Sequence, residues 1–307
     1  MSLFKYFQFQ LGRRFVIAVP FFWLLLFFAL PFLILLRISV TDMGNGVDPF
    51  APLFESAPSS LKILLKPQNY ISIFSDGQSD ITLYLQAYLT SLKYAFLTTF
   101  FCLIFGYPFA YFLARAKPTI RPALLMLVML PFWTSFLLRV YAWKGILADQ
   151  GIINNALLAL GIIHQPLIML YTDVSMLIGM TYVYIPFMIL PLYANLVKMD
   201  MRLLEAAHDL GASAWSAFWL VTVPLSRGGI VAGSMLVFIP CIGEFVIPSL
   251  LGGAENLMIG RVVWDEMFSS NNWPRAAALS VVMIVLILLP LALYYRYSNA
   301  SQDESRV

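Results

Sequence analysis

Charge is what this sequence has least of. Its 307 residues include only 19 Lys and Arg and 16 Asp and Glu, or 11%, against about a quarter in an ordinary soluble domain. So few charged side chains cannot clothe a soluble core of this size, which excludes a water-soluble enzyme. A net charge of +3 is too small to point to nucleic acid. Cysteine is equally scarce. Cys102 and Cys241 both lie in apolar runs, which excludes a disulfide scaffold and reads as two reduced, packed thiols. The two histidines, His164 and His208, stand too far from other ligand residues for a metal site. There is no Ser/His/Asp or Cys/His arrangement and no low-complexity segment. Nor is there a G-x-x-x-x-G-K-[ST] loop, so the chain brings no phosphate-binding loop and no cofactor of its own.

Long apolar runs are what it has instead. Hydrophobic residues make up 61% of the chain. Residues 16–36, 94–113, 174–197 and 276–295 are uninterrupted by charge. Residues 123–138 and 228–243 are shorter runs, stopped by Arg139 and Glu244 but apolar again beyond them. About 20 apolar residues carry a helix across the hydrocarbon core, and barrel strands are shorter and alternate. Backbone groups in lipid must bond internally. The expectation is an all-α integral membrane protein with six transmembrane helices. Residues 145–171 carry Asp149, Asn154, Asn155, His164 and Gln165 and read as an interfacial or extramembrane helix, not a seventh span.

Charge also orients the spans. One side holds 1–15, 114–122, 196–227 and the C-terminal tail, with a net charge of +6; the other holds 37–93, 139–173 and 251–275, with −2. Cytoplasmic N- and C-termini are the consequence. The expected organisation begins with an aromatic, basic interfacial N-terminus at 1–15 that lies against membrane lipid. Next come an uncleaved first transmembrane helix at 16–36 and an irregular periplasmic loop at 37–90. A core domain spans 91–296, and a cytoplasmic tail covers 297–307. Gly229-x-x-x-Gly233 fits close helix packing.

The longest cytoplasmic connection, 198–227, is not a bare linker. Ala207, Leu210, Ala214, Phe218 and Val221 share one helical face, and Glu205, Asp209, Ser213 and Ser216 another. Gly211 permits a turn between two short helices. Amphipathicity alone fits either an interfacial helix or a docking element. The segment Glu205-Ala206-Ala207, then Gly211, then Val221, Val223 and Pro224 resembles the EAA loop of permease subunits of binding-protein-dependent ABC importers. Val stands for the usual Ile and Leu. Tyr184–Leu192, Gly243–Gly253, Met258–Trp264 and Trp273-Pro274 resemble the polyamine-type permeases, most closely the putrescine type.

That resemblance implies a type I ABC importer permease of the bacterial inner membrane. It would move a polyamine, putrescine foremost, from a periplasmic substrate-binding protein to the cytoplasm by alternating access. It implies a second permease subunit, different from this one, and a cytoplasmic ATPase dimer that binds ATP and Mg. Glu205, Ala206, Ala207, Asp209 and Gly211 would form the coupling helix that meets the ATPase. Alternatives are a permease of the same type for spermidine or another solute, a secondary transporter, and a membrane scaffold.

Glu244 is the only acid inside an apolar run. A carboxylate in hydrocarbon needs a partner, a cavity or a pathway. With Tyr182, Tyr184 or Trp264 it could hold a cationic amine through charge and cation–π contact. Pairing with Arg139, or with a partner subunit, is the other reading.

Overall fold

Residues 16–44, 48–57, 60–63, 65–75, 82–253 and 255–304 are described by the structure, a computed structural model. The interfacial role expected of 1–15 falls outside them. Among the described residues, four helices are long and apolar enough to cross a membrane: α1 (Val16–Ser39), α3 (Leu83–Arg115), α7 (Asp173–Leu196) and the Trp273–Ala292 part of α13 (Trp273–Glu304). Two further runs are bent pairs. Arg121–Trp133, which is α4 (Arg121–Met129) closed by a 3₁₀ turn, meets α5 (Phe136–Leu147) and α6 (Ile152–Ala159) at 88°. The helix α9 (Ala214–Leu225) meets α10 (Arg227–Ile242) at 67°. Counting each bent pair as one span gives up to six.

The chain divides into two compact units. The first comprises residues 1–82 and 263–288. None of the apolar window of α1 is buried, as for a helix whose solvent is lipid. The described residues after it include regular elements, with one short hairpin in addition to the helices. Met43 bridges Phe50, and strands β1 (Phe54–Ala57) and β2 (Ser60–Ile63) pair antiparallel, with Phe54 opposite Ile63. Helix α2 (Gln68–Phe74) then closes onto the end of α1. The side-chain amide of Asn69 donates to the carbonyls of Ser39 and Thr41, at 3.0 and 2.9 Å. These are acceptors that a helix end leaves open. The Lys66 ammonium beside Asp42 holds that carboxyl below the usual carboxylate range.

The second unit comprises 83–262 and 289–307. Its core is three helices, α3, α7 and α10, each packed on the other two. Their fit is written in side-chain size. Along α3 the buried residues Ala87, Ser91, Ala95, Thr98, Cys102, Gly106, Ala110 and Ala114 recur every three to four positions, which lines one face with small groups and lets backbones approach. Gly106 sits where a Cβ would lie 3.2 Å from Met188 of α7. Gly229 and Gly233 of α10 repeat the device: a Cβ at Gly229 would stand 2.8 Å from Asn195 Cβ, and one at Gly233 2.7 Å from Met188 S. Cys102 and Cys241 are free and buried here.

Three boundaries differ from the sequence reading. Helix α3 begins at Leu83, before the apolar run does, because Gln86, Ser91 and Lys93 break the hydropathy without breaking the helix. Helix α13 continues to Glu304, through most of the segment read as a tail. Residues 145–171 form no long helix. Helix α6 covers eight of them, and buried Asn154 ties the segment after it down, donating to the carbonyls of Ala148 and Leu167 and accepting from Leu167 N–H at 2.9 Å.

Candidate functional site

Both charges that interrupt apolar runs stand at helix breaks. Helix α10 ends at Ile242, with Gly243 at its C-cap, and α11 (Val246–Leu251) starts three residues later. Glu244 lies in that gap, not within a continuous span as its sequence position suggested. Its backbone is overlaid closely: a Cβ on Gly260, at the start of α12 (Ile259–Phe268), would come 2.4 Å from the Gly243 carbonyl oxygen and 2.9 Å from that of Glu244. Only a glycine fits there.

Glu244 is 9% exposed, and both its carboxylate oxygens accept hydrogen bonds. Oε1 accepts from the backbone N–H groups of Val246, at 3.0 Å, and Ile247, at 3.4 Å. It therefore caps α11, where the helix dipole favours negative charge. Oε2 accepts from the Tyr184 hydroxyl at 2.5 Å. Tyr184 comes from α7, which the small-residue packing above holds against α10. Its ring lies 6.1 Å from Phe187, and Phe187 meets Phe132 edge-on at 5.1 Å. At the far end of this row the Arg139 guanidinium stands 5.3 Å from the Phe132 ring. Arg139 makes no ion pair with Glu244 among the described residues. Chemically, the arrangement is a buried, pre-positioned carboxylate bonded to the first hydroxyl of an aromatic row; carboxylates and ring faces are the groups that replace water around an organic cation.

Tyr182 has other neighbours. Tyr182 lies two positions, or about 200°, from Tyr184 around α7. It packs edge-on against Trp143 at 5.4 Å and lines an apolar cavity of about 490 Å³ with Phe101, Phe105 and Thr181. Trp264 belongs to the first unit, where its ring lies 4.2 Å from Phe268.

The loop 198–227 folds as two short helices around a turn. Helix α8 (Arg202–Asp209) is anchored by buried Leu204 and leaves Glu205, Ala206 and Asp209 exposed, with Ala207 half-buried. Gly211 has φ +85°, the left-handed region that glycine enters at least cost. Ser213 then caps α9, its hydroxyl accepting from Ser216 N–H at 3.2 Å. Because one helix ends at Asp209 and the next starts at Ala214, with Gly211 at positive φ between them, the apolar face drawn across it does not persist. Leu210 is 89% exposed, while Phe218 packs edge-on against Tyr107 and Tyr111 of α3. Trp215, Trp219 and Leu220 are also exposed.

Polar ties between helices were not visible in the sequence. The hydroxyls of Tyr107 and Ser226 lie 2.8 Å apart, Tyr94 donates to Asn256 at 2.9 Å, and Ser91 accepts from Ile259 N–H at 2.7 Å. The hint available was a tyrosine or serine on the small-residue face of an apolar helix.

No family model matches the chain. It is 39% identical over 285 residues to the spermidine/putrescine transport system permease protein PotB of Haemophilus influenzae, covering 92% of this chain and 93% of that one. Against PotB of Escherichia coli the identity is 38% over 277 residues, covering 90% and 94%. The inner membrane ABC transporter permease protein YdcU of E. coli is 32% identical over 79% of each chain. Among solved structures, a bacterial ABC transporter that imports alginate matches with a TM-score of 0.63 at 17% identity, covering 96% of this chain and 99% of that one. The MetNI methionine ABC transporter matches at 0.53 and 15%, covering 70% and 94%. These two show a shared fold.

Proposed function

The chain belongs to the permease subunits of spermidine/putrescine-type ABC transport systems, and from that premise we propose that it carries a polyamine inward across the bacterial inner membrane. It is a multi-pass membrane protein with no ATPase site of its own, so the energy comes from a partner. Putrescine is the first substrate candidate and spermidine the second, because the relatives' names join the two.

The observation that carries this reading is the Glu244–Tyr184 pair, a buried carboxylate at a helix break, in a row of aromatic rings. In transporters, irregular backbone at membrane depth is tolerated where it is packed in protein or lines a cavity. A diammonium ion passing this point would exchange water for a fixed anion and ring faces. Six spans, with both termini cytoplasmic, follow from taking each bent pair as one span and from the charge asymmetry of the loops.

Glu205, Ala206, Ala207, Asp209 and Gly211 form the coupling element. The exposure of Glu205, Ala206, Asp209 and Gly211, and of the apolar Leu210, Trp215 and Leu220 in the same loop, suits a groove on a cytoplasmic ATPase dimer. ATP and Mg bind there, on the partner. Closure of that dimer pulls the loop and must favour one arrangement of the spans by about 5 kcal/mol to switch it fully. A second, different permease chain completes the pathway, and a periplasmic binding protein delivers the solute.

Two measurements test the reading. Cells expressing the whole system should take up labelled putrescine, with excess putrescine or spermidine competing. Glu205→Lys should abolish co-purification of the ATPase. Uptake indifferent to polyamines would overturn the substrate, and normal ATPase recovery would overturn the coupling role.

A further inference from the structure

Arg139 is an anomaly that the Glu244 site does not absorb. It is 9% exposed, and its buried Nε and Nη1 have no hydrogen-bond partner among the described residues. A guanidinium carries five donors and does not deprotonate, so burial without an acceptor is unfavourable. The Phe132 and Phe136 rings, with centroids 5.3 and 5.9 Å away, supply cation–π contact but no acceptor.

Its place in the fold adds to the problem. Arg139 lies in the first turn of α5, a 12-residue helix whose N-cap Ser135 makes no side-chain cap. Its own amide, bonded to Ser135 O at 3.2 Å, closes the first turn. Side chains on a helix lean toward its N-terminus. The guanidinium accordingly sits between Phe132, before the break, and Phe136, the first helical residue. A cation here meets the positive end of the helix dipole. Both features are reconciled by one missing group: an anion at the α5 N-terminus, taking the guanidinium fork and the open first-turn amides together.

We propose that this break is an anion site for a carboxylate of the second permease chain. From Arg121 to Trp133, nine α-helical and four 3₁₀ residues rise about 21 Å, which sets the break about two-thirds of the way across a core about 30 Å thick with phosphates at its edges. The flank argues for a protein carboxylate over a lipid phosphate. Trp133, Leu137 and Leu138 are exposed beside the buried arginine, so a packed neighbour would cover them while bringing its acid to Arg139. Arg–carboxylate pairing is bidentate and directional, which would fix the register of the two chains. The site needs a second membrane chain, as the permease reading supplies, and is indifferent to the solute.

The test co-expresses the tagged chain with the second permease and the ATPase. Arg139→Gln and Arg139→Glu should each lower recovery of the second permease at least tenfold, and Arg139→Lys less. The tagged chain should stay at its normal level in the membrane fraction. With Arg139→Glu in place, replacing one intramembrane acid of the second permease by Arg should restore recovery. That rescue decides the matter even if the single variants insert poorly. Full recovery with Arg139→Gln, or no rescue from any of those acids, would overturn the site and leave lipid phosphate as the anion. Absence of the ATPase from the wild-type sample would instead break the permease reading.

Discussion

The Tyr184 hydroxyl donates to Oε2 of Glu244 at 2.5 Å, joining residues sixty positions apart in the chain. The bond ties the middle of α7 to the gap between α10 and α11, while the other oxygen caps α11. The carboxylate is thereby aimed before any ligand arrives. A fixed dipole or charge that needs no reorganisation interacts more strongly than one that must turn. The same bonds have a structural role, and two substitutions separate that role from transport.

Glu244→Gln keeps an acceptor for the Val246 and Ile247 amides and removes the charge. Its expected effect is a fall of about tenfold or more in apparent polyamine affinity, equivalent to about 1.4 kcal/mol, with complex assembly unchanged. Labelled uptake across a concentration series measures it. Tyr184→Phe does the reverse, leaving the charge and removing a donor from a buried oxygen, at about 1–3 kcal/mol. It should lower the unfolding temperature of the purified complex. Wild-type uptake by Glu244→Gln would reduce the carboxylate to a helix cap.

Packing between α7 and α10 is tested at neighbouring glycines. A Cβ at Gly229 would stand 2.8 Å from Asn195 Cβ and 3.1 Å from the Pro191 carbonyl, whereas one at Gly228 meets only Asn195 Nδ2 at 3.4 Å. Gly229→Val should therefore cost about 1–3 kcal/mol by overpacking. Gly228→Ala should stay near wild type. Thermal unfolding in detergent, read by size-exclusion fluorescence, distinguishes them. Equal stability would mean that the helices part here without penalty.

The four long spans were legible because hydropathy needs only composition and length, and the Gly229/Gly233 contact because residue size alone dictates it. The breaks were not. Apolar residues run on through Trp133 and Phe136, and through Ile242 and Val246, so a reading by composition joins what backbone geometry separates. Glu244 was picked out by its cost in lipid, but its partners come from segments whose approach only the fold decides. The 3.6-residue period says that Tyr182 and Tyr184 face different ways. It does not say which one faces Glu244. The face drawn from Ala207 to Val221 failed for a local reason: one residue at positive φ, Gly211, stands in the break between two helices partway along it.

That residue allows the turn to be tested apart from its contacts. A Cβ at Gly211 would meet nothing within 4 Å, and φ is +85°. Substitution there changes backbone preference and no packing. Asn tolerates the left-handed region, while a β-branched residue resists it, at a cost of about 1–2 kcal/mol. Gly211→Asn should therefore keep ATPase co-purification and ATP-driven uptake close to wild type. Gly211→Val should lower both several-fold, with the unfolding temperature of the membrane helices unmoved, since the loop's only buried anchor in α8 is Leu204. Equal losses from Asn and Val would show that the ATPase reads the absence of a side chain at position 211, not the turn that glycine makes.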